Sequence, residues 1–140
     1  MVAIRSVQAP DLAAISALDA RLTGSEKPDY WREMLEAPGR HFLLAGTDKP
    51  ALAGFIAGEI RAWEFGQPPA GWVFAIQIDP KLRLKGVGTA LFEALVARFK
   101  AEGVTRVRTL VDRKDHLILS FFRAQGMVAG PSLQLDKDLS

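Results

Sequence analysis

Apolar positions alternate weakly over residues 3–7, which predicts a short first strand. Pro10-Asp11 then opens a helical pattern with Leu12, Ile15 and Leu18 on one face, and Pro10 suits a first helical turn. A second helix is predicted over residues 29–37, with Tyr30, Met34 and the Trp31/Leu35 pair at helical spacing and Pro38-Gly39 as its stop. Residues 42–45 and 51–60 read as a hairpin of two strands joined by a turn at Gly46-Thr47-Asp48-Lys49-Pro50. Residues 66–71, with Pro68-Pro69 inside, read as a loop. The nearly continuous apolar run of residues 72–78 has the pattern of a strand buried on both faces.

After Asp79-Pro80 comes a basic turn, Arg83-Leu84-Lys85-Gly86-Val87-Gly88, and then the strongest helical stripe in the chain, predicted over residues 89–101. Leu91, Phe92, Leu95, Val96 and Phe99 share its apolar face, and Gly103 is a natural stop. Residues 107–111 are the next strand, residues 115–125 a last helix with Gly126 just beyond it, and residues 127–139 have room for two short strands around Gly130-Pro131. A strand, helix, strand crossover makes a parallel pair, so the sheet is expected to be mixed: parallel near its end and antiparallel before it.

The 140 residues suit a single α/β domain spanning residues 1–140. With 49% hydrophobic and 24% charged residues the composition is that of a soluble globular protein, not a disordered one. No apolar stretch approaches the ~20 residues a membrane-spanning helix needs, and the N-terminus lacks a secretory pattern, which predicts a soluble cytoplasmic protein. The absence of cysteine excludes disulfides, thiolate zinc sites and a cysteine nucleophile. His41 and His116 do not form a metal pair, and His116 is expected in the first turn of the last helix.

A net charge of +2 hides an uneven distribution: residues 81–114 hold nine Lys/Arg against three acids. That bias points to an anionic partner or, alternatively, to a solvated helix face. Nucleic-acid binding would need aromatics interleaved with the cations, and the aromatics there, Phe92 and Phe99, lie on the core stripe. The glycine turn itself suits an anion. Glycine lets a ligand approach the backbone closely, and the following helix offers unpaired N–H groups and the positive end of its dipole. Arg83 and Lys85 add charge beside it. A tight strand-to-helix turn without a ligand is the alternative. The spacing fits neither a Walker loop nor a dinucleotide fingerprint, which needs a small residue where Leu91 stands.

The turn Arg83-x-x-Gly86-x-Gly88 resembles the Gln/Arg-x-x-Gly-x-Gly/Ala signature of the GNAT superfamily of acyl-CoA-dependent N-acetyltransferases, and it follows Ile78-Asp79-Pro80 as that signature follows the family's fourth strand. Asp115-x-x-Ile118-x-x-Phe121-Phe122-x-x-x-Gly126-Met127 is similar to the family's Asn-x-x-Ala-x-x-Leu/Phe-Tyr-x-x-x-Gly-Phe in every spacing. The resemblance implies a sheet splayed between its fourth and fifth strands, with acetyl-CoA as co-substrate. Its pyrophosphate would lie on the backbone of Arg83, Leu84, Lys85, Gly86, Val87, Gly88 and Thr89, and its pantetheine arm beside Gln77, Ile78 and Asp79. Asp115 and Phe122 would be further cofactor contacts. The implied reaction is direct acetyl transfer to a primary amine on a peptide or small molecule, with the backbone N–H near Ile78 as oxyanion donor. Many relatives dimerise, so a homodimer is compatible with it.

Three positions depart from the family pattern. Phe122 stands where many members carry a tyrosine that protonates the CoA thiolate, with Ser120 as a substitute donor or simply a helix-surface serine. Trp72 stands where many carry a glutamate base, which leaves Asp79, Glu59 and Glu64 as candidate bases or, alternatively, as a turn-organising acid and solvated carboxylates. Asp115 replaces the usual asparagine and would serve as an N-cap. Tyr30, the only tyrosine, reads as a packing or substrate-wall residue. These departures motivate the alternative of an acyl-CoA-binding sensor domain with weak or no catalysis.

Overall fold

Five strands form one sheet in the order β1 (Ala3–Ser6), β2 (His41–Asp48), β3 (Ala51–Arg61), β4 (Ala70–Ile78), β5 (Val107–Thr109). The first four pair antiparallel and β5 pairs parallel to β4, the mixed α/β sheet the pattern predicts. The structure is a computed structural model describing residues 2–37, 41–48 and 51–140, which fall into two compact units, Met1–Leu110 and Val111–Ser140.

In the first unit the sheet is sandwiched. On one face lie α1 (Leu12–Thr23) and α2 (Pro28–Glu36). Their Ile15, Leu18, Trp31 and Met34 are buried with Ala45, Phe55 and Ala57 of the sheet, and the Trp31 and Phe55 rings meet edge to face at 5.0 Å. On the other face lies α3 (Val87–Ala101), burying Leu91, Phe92, Leu95 and Phe99 of the predicted stripe, with Val96 half-buried. Glycines on this face of the sheet let α3 approach. A Cβ on Gly71 would stand 2.3 Å from the Phe99 ring, and one on Gly58 2.9 Å from Leu95. Beneath α1 the Asp19 carboxylate is buried, and it accepts from Lys27 Nζ and from Trp31 Nε1 at 3.2 Å, tying α2 to α1.

Several boundaries differ from the sequence expectation. Strand β2 runs through Gly46, Thr47 and Asp48, where a turn was expected, because Thr47 and Asp48 pair with Leu52 and Ala51; Lys49, Pro50 and the Pro38-Gly39 stop lie outside the described residues. Strand β4 begins at Ala70, inside the expected loop, because Ala70 and Gly71 already pair with Arg61 and Ile60. It is not buried on both faces throughout. Val73 is buried, but Phe74 is 39% exposed and residues 75–78 are half-buried, because β5 ends at Thr109, two residues short of the expected Val111.

In the second unit α4 (His116–Ala124) starts with His116 in its first turn, as expected. The Asp115 carboxylate accepts from the Ile118 N–H at 3.1 Å, the N-cap that the sequence indicates. Gly126, at φ +88°, follows the helix end, and the Met127 N–H returns to the Phe122 carbonyl at 3.1 Å. The two strands expected in residues 127–139 do not form. Leu133, Leu135 and Leu139 are exposed, and Gly130-Pro131 interrupts the segment, with no N–H at Pro131 to give a ladder.

Candidate active site

Strand β4 pairs with β5 through only three registers, Gly71 with Val107, Trp72 with Arg108 and Val73 with Thr109. Beyond Val73, five more β4 residues run on to Ile78 with no β5 partner. The strand's edge is therefore open over that length, as the splayed sheet required.

A bulge decides which peptide groups that open edge presents. Gly58 pairs with Val73 but Ala57 pairs with Ala75, leaving Phe74 as an extra residue on β4. Before it, the Gly71 N–H reaches the Arg106 carbonyl at 2.9 Å, on the β5 side. After it, the Asp79 N–H reaches the Ala53 carbonyl at 2.8 Å, on the β3 side. Peptide groups alternate edges along a strand, so Ala75 and Gln77 also face β3, and the N–H and C=O of Ile76 and Ile78 face the open edge. The open edge therefore carries two outward N–H groups, those of Ile76 and Ile78. No period-2 pattern in residues 72–78 announces a bulge.

The chain then turns from the strand into α3. Arg83 and Lys85 belong to a 3-10 segment, Pro80–Lys85, and not to an open turn. Gly86 alone makes the reversal, at φ +76°, with no heavy atom within 4 Å of where its Cβ would lie. Helix α3 starts at Val87, two residues earlier than expected, so Gly88 sits buried in its first turn. The first intrahelical bond runs from the Ala90 N–H to the Gly86 carbonyl, and no side chain caps the helix, which leaves the N–H groups of Val87 and Gly88 without an intrahelical acceptor. Arg83 is exposed beside them. An open glycine turn, an uncapped terminus of a fifteen-residue helix and an adjacent cation suit an anionic group such as a pyrophosphate.

Asp79 organises the bend between the two features. One carboxylate oxygen accepts from the Lys81 N–H at 3.0 Å and the other lies 3.6 Å from Arg21 Nη2. Glu64 is held by Arg61 through two bonds of 2.7 and 3.0 Å, and the Arg61 guanidinium also covers the Trp72 ring, 4.2 Å from its centroid. The exposed Glu64 carboxyl is accordingly held below its ordinary range, first by the hydrogen bond from Arg61. Trp63 and Phe65, in the same connection, are exposed at φ +61° and +48°.

A groove of about 440 Å³ opens between α2 and the sheet, lined by Tyr30, Glu33, Met34, Ala37, Glu59 and Phe74. Of these, the sequence singled out Tyr30 as a packing or substrate-wall residue and Glu59 as a candidate base or a solvated carboxylate. Glu33 and Phe74 escaped it, although Glu33 stands one helical turn from Tyr30. Burial raises the Tyr30 phenol above its usual range, helped by the charges of Glu59 and Asp19. In the second unit Ser120 is exposed on α4, while Phe122 is buried and meets the Phe121 ring edge to face at 5.2 Å. Among the described residues no group of three or more His, Asp or Glu is placed to share a metal ion, and no helix is long and apolar enough to cross a membrane.

Two curated relatives are similar in sequence. Mycothiol acetyltransferase of Kocuria rhizophila is 28% identical over 89 residues, covering 62% of this chain and 29% of its own. L-2,4-diaminobutyric acid acetyltransferase of Nocardia farcinica is 29% identical over 91 residues, 65% of this chain and 45% of its own. The chain thus spans less than half the length of either. Among solved structures, aminoglycoside N-acetyltransferase AAC(6')-Iy in complex with CoA superposes with a TM-score of 0.88 at 16% identity, over 100% of this chain and 96% of that one. Aminoglycoside 6'-N-acetyltransferase AAC(6')-Ih of Acinetobacter baumannii gives 0.86 at 16% identity over 100% of both chains, which shows the shared fold. A model of the acetyltransferase (GNAT) family matches residues 9–127. With the open β4 edge and the glycine turn in place, the chain belongs to that family.

Proposed function

We propose that this protein is an acyl-CoA-dependent N-acetyltransferase that moves an acetyl group from acetyl-CoA directly to a primary amine. The observation that carries this reading is the bulged, open edge of β4 running in sequence into the uncapped N-terminus of α3. An extended pantetheine arm pairs with such an edge as an added strand would, and its pyrophosphate meets the Gly86–Val87–Gly88 backbone with Arg83 and Lys85 nearby. Family membership and the acetyltransferase names of the two curated relatives support the same chemistry.

The edge offers two N–H donors. Ile76, the one nearer the Phe74 groove, serves the thioester carbonyl, while Ile78 serves the pantetheine arm. A neutral amine attacks the carbonyl carbon, forming the C–N bond as the C=O electron pair moves onto an oxyanion that the Ile76 N–H stabilises, and collapse of that oxyanion breaks the C–S bond. The sulfur leaves with the electron pair as a thiolate, and the surplus proton of the nitrogen passes to it through water. Phe122, at the position of the family's tyrosine, has no proton to give, and a thiol pKa of about 8.5 makes a water donor sufficient. Asp79 stays with its turn as a positioning group.

Calorimetry with acetyl-CoA, followed by thiol release against primary amines, tests this reading. Binding weakened in Arg83→Ala and abolished in Gly86→Trp, with thiol release from the wild type, is the expected result. Binding without turnover would favour the sensor alternative, and no binding would overturn both readings.

A further inference from the structure

Residues 132–139 read Ser-Leu-Gln-Leu-Asp-Lys-Asp-Leu and alternate as a strand does, with Leu133, Leu135 and Leu139 on one side and Gln134, Asp136 and Asp138 on the other. They form no helix or strand, and the three leucines are 81%, 88% and 88% exposed. A single exposed leucine needs no explanation, but a row of them on one side of an alternating segment marks a surface built to be covered.

The edge that fits it belongs to β5, the last strand of the sheet, whose outer side has no neighbouring strand among the described residues. The Arg106 carbonyl faces β4, where it accepts from Gly71. Alternation turns the Arg108 peptide groups toward β4 as well, and the N–H and C=O of Val107 and Thr109 outward. The side chains are sorted too. A Cβ on Gly71 would point at Phe99 of α3, so Val107 and Thr109, in register with Gly71 and Val73, lie on the α3 face, and Arg106 and Arg108 lie on the opposite face with Trp72. Cations on an edge strand deter indiscriminate pairing. Two β5 strands set edge to edge would bring their arginines together, whereas a strand with carboxylates on that face would not.

The segment supplies such a strand. Laid antiparallel on the β5 edge, it places Leu135 opposite Val107 and Leu133 opposite Thr109, each pair exchanging N–H and C=O bonds while the leucines lie on the α3 face. The same register sets Asp136 opposite Arg106 and Gln134 opposite Arg108 on the other face. In the single chain Asp136 accepts from Gln134 Nε2 at 3.0 Å, a neutral partner, and the Arg106 side chain is exposed. A slip of one residue would set the leucines among the arginines, so the apolar row and the charges choose the same register.

We propose that residues 132–139 of one copy add as a strand to β5 of a second copy, and the second copy's segment to β5 of the first, closing a two-fold dimer. Charge complementarity between Asp136 and Arg106 selects this occupant over a second β5. The added ladder also holds β5 from its outer side, where three registers to β4 are its pairing within the sheet.

Sedimentation velocity on the full chain over a range of concentrations at moderate salt tests this, with far-UV circular dichroism to check that each variant is folded. The wild type is expected to run at twice the chain mass. Leu135→Pro removes a ladder N–H at an exposed position, and Arg106→Glu and Asp136→Arg each set like charges opposite one another in both ladders. Each should weaken the dimer at least about tenfold. Mixing the Arg106→Glu and Asp136→Arg variants should restore it, because both ladders of the mixed pair again join opposite charges. A wild type that stays at the mass of one chain, a dimer indifferent to these substitutions, a mixture that fails to recover it, or a mass that grows without limit with concentration would each overturn the proposal.

Discussion

Gly71 donates its backbone N–H to Arg106 on the β5 side of β4, whereas Asp79, eight residues further along the chain and just past the strand's end, donates its own to Ala53 on the β3 side. In an unbroken strand, residues an even number apart face the same edge. The reversal is the signature of the extra residue at Phe74, and it turns the Ile76 and Ile78 peptide groups outward where β5 has ended. A small irregularity thus decides that the peptide groups of Ile76 and Ile78, and not those of Ala75 and Gln77, face the edge that β5 leaves open.

Close approach of α3 depends on missing side chains. Gly71→Ala would place a Cβ 2.3 Å from Phe99, so it is expected to destabilise by roughly 1–3 kcal/mol, an overpacking cost. Phe99→Leu in the same background should recover part of that loss. Urea denaturation of the single and double variants measures the coupling, and additive effects would show that the contact is not the cause.

The buried Asp19 carboxylate fixes α2 beside the groove through Lys27 and Trp31. Asp19→Ala leaves the Trp31 Nε1 donor unsatisfied in the core, a cost of about 1–3 kcal/mol. Lys27→Ala should cost at least as much, about 3–5 kcal/mol, because it leaves the buried Asp19 carboxylate without its cation. Thermal or chemical melts order the two, and no loss at Lys27 would contradict the assignment.

The Asp11 carboxyl is held below its ordinary range, chiefly by two hydrogen bonds from Arg5 at 2.6 and 2.8 Å. A carboxyl whose folded pKa is depressed adds stability that is present above its unfolded value, about 3.9, and is lost as pH falls through the lower folded value. The stability gap between wild type and Asp11→Asn should therefore be constant from neutral pH to about 4 and close below it. A gap that widens on acidification would reverse the sign.

Cofactor binding at the α3 terminus should respond to salt. Arg83 is exposed, so its attraction for a phosphate is screened within about 10 Å at 0.1 M ionic strength. Arg83→Ala is expected to weaken acetyl-CoA binding by several-fold at low salt and to flatten the salt dependence. Gly86→Ala tests the backbone instead: at φ +76° an alanine costs roughly 1–2 kcal/mol of backbone strain and should lower affinity at every salt concentration.

The parts legible in the sequence are those written in local periodicity or fixed spacing. The stripe from Leu91 to Phe99, the reversals at Gly86 and Gly126, the Asp115 cap and the two spaced motifs all follow from side chains within a few positions of one another. What escaped depends on partners far along the chain. Thr47 and Asp48 belong to a strand only because Leu52 and Ala51 pair with them, and Phe74 is a bulge only relative to Ala57 and Gly58. The groove needed Glu33 of α2 and Phe74 of β4 side by side, which neither segment announces. The leucines of residues 133–139 alternate as a strand would, yet form none, because alternation supplies no partner.

Residue-resolved amide hydrogen exchange on the first unit's β4, with and without acetyl-CoA, tests the central claim most directly. In the free protein the Gln77 and Asp79 amides, bonded toward β3, should be protected while Ile76 and Ile78 exchange fast, and saturating acetyl-CoA should protect Ile76 and Ile78. Protection of Ile76 and Ile78 in the free protein, or no change at either amide when acetyl-CoA binds, would contradict it.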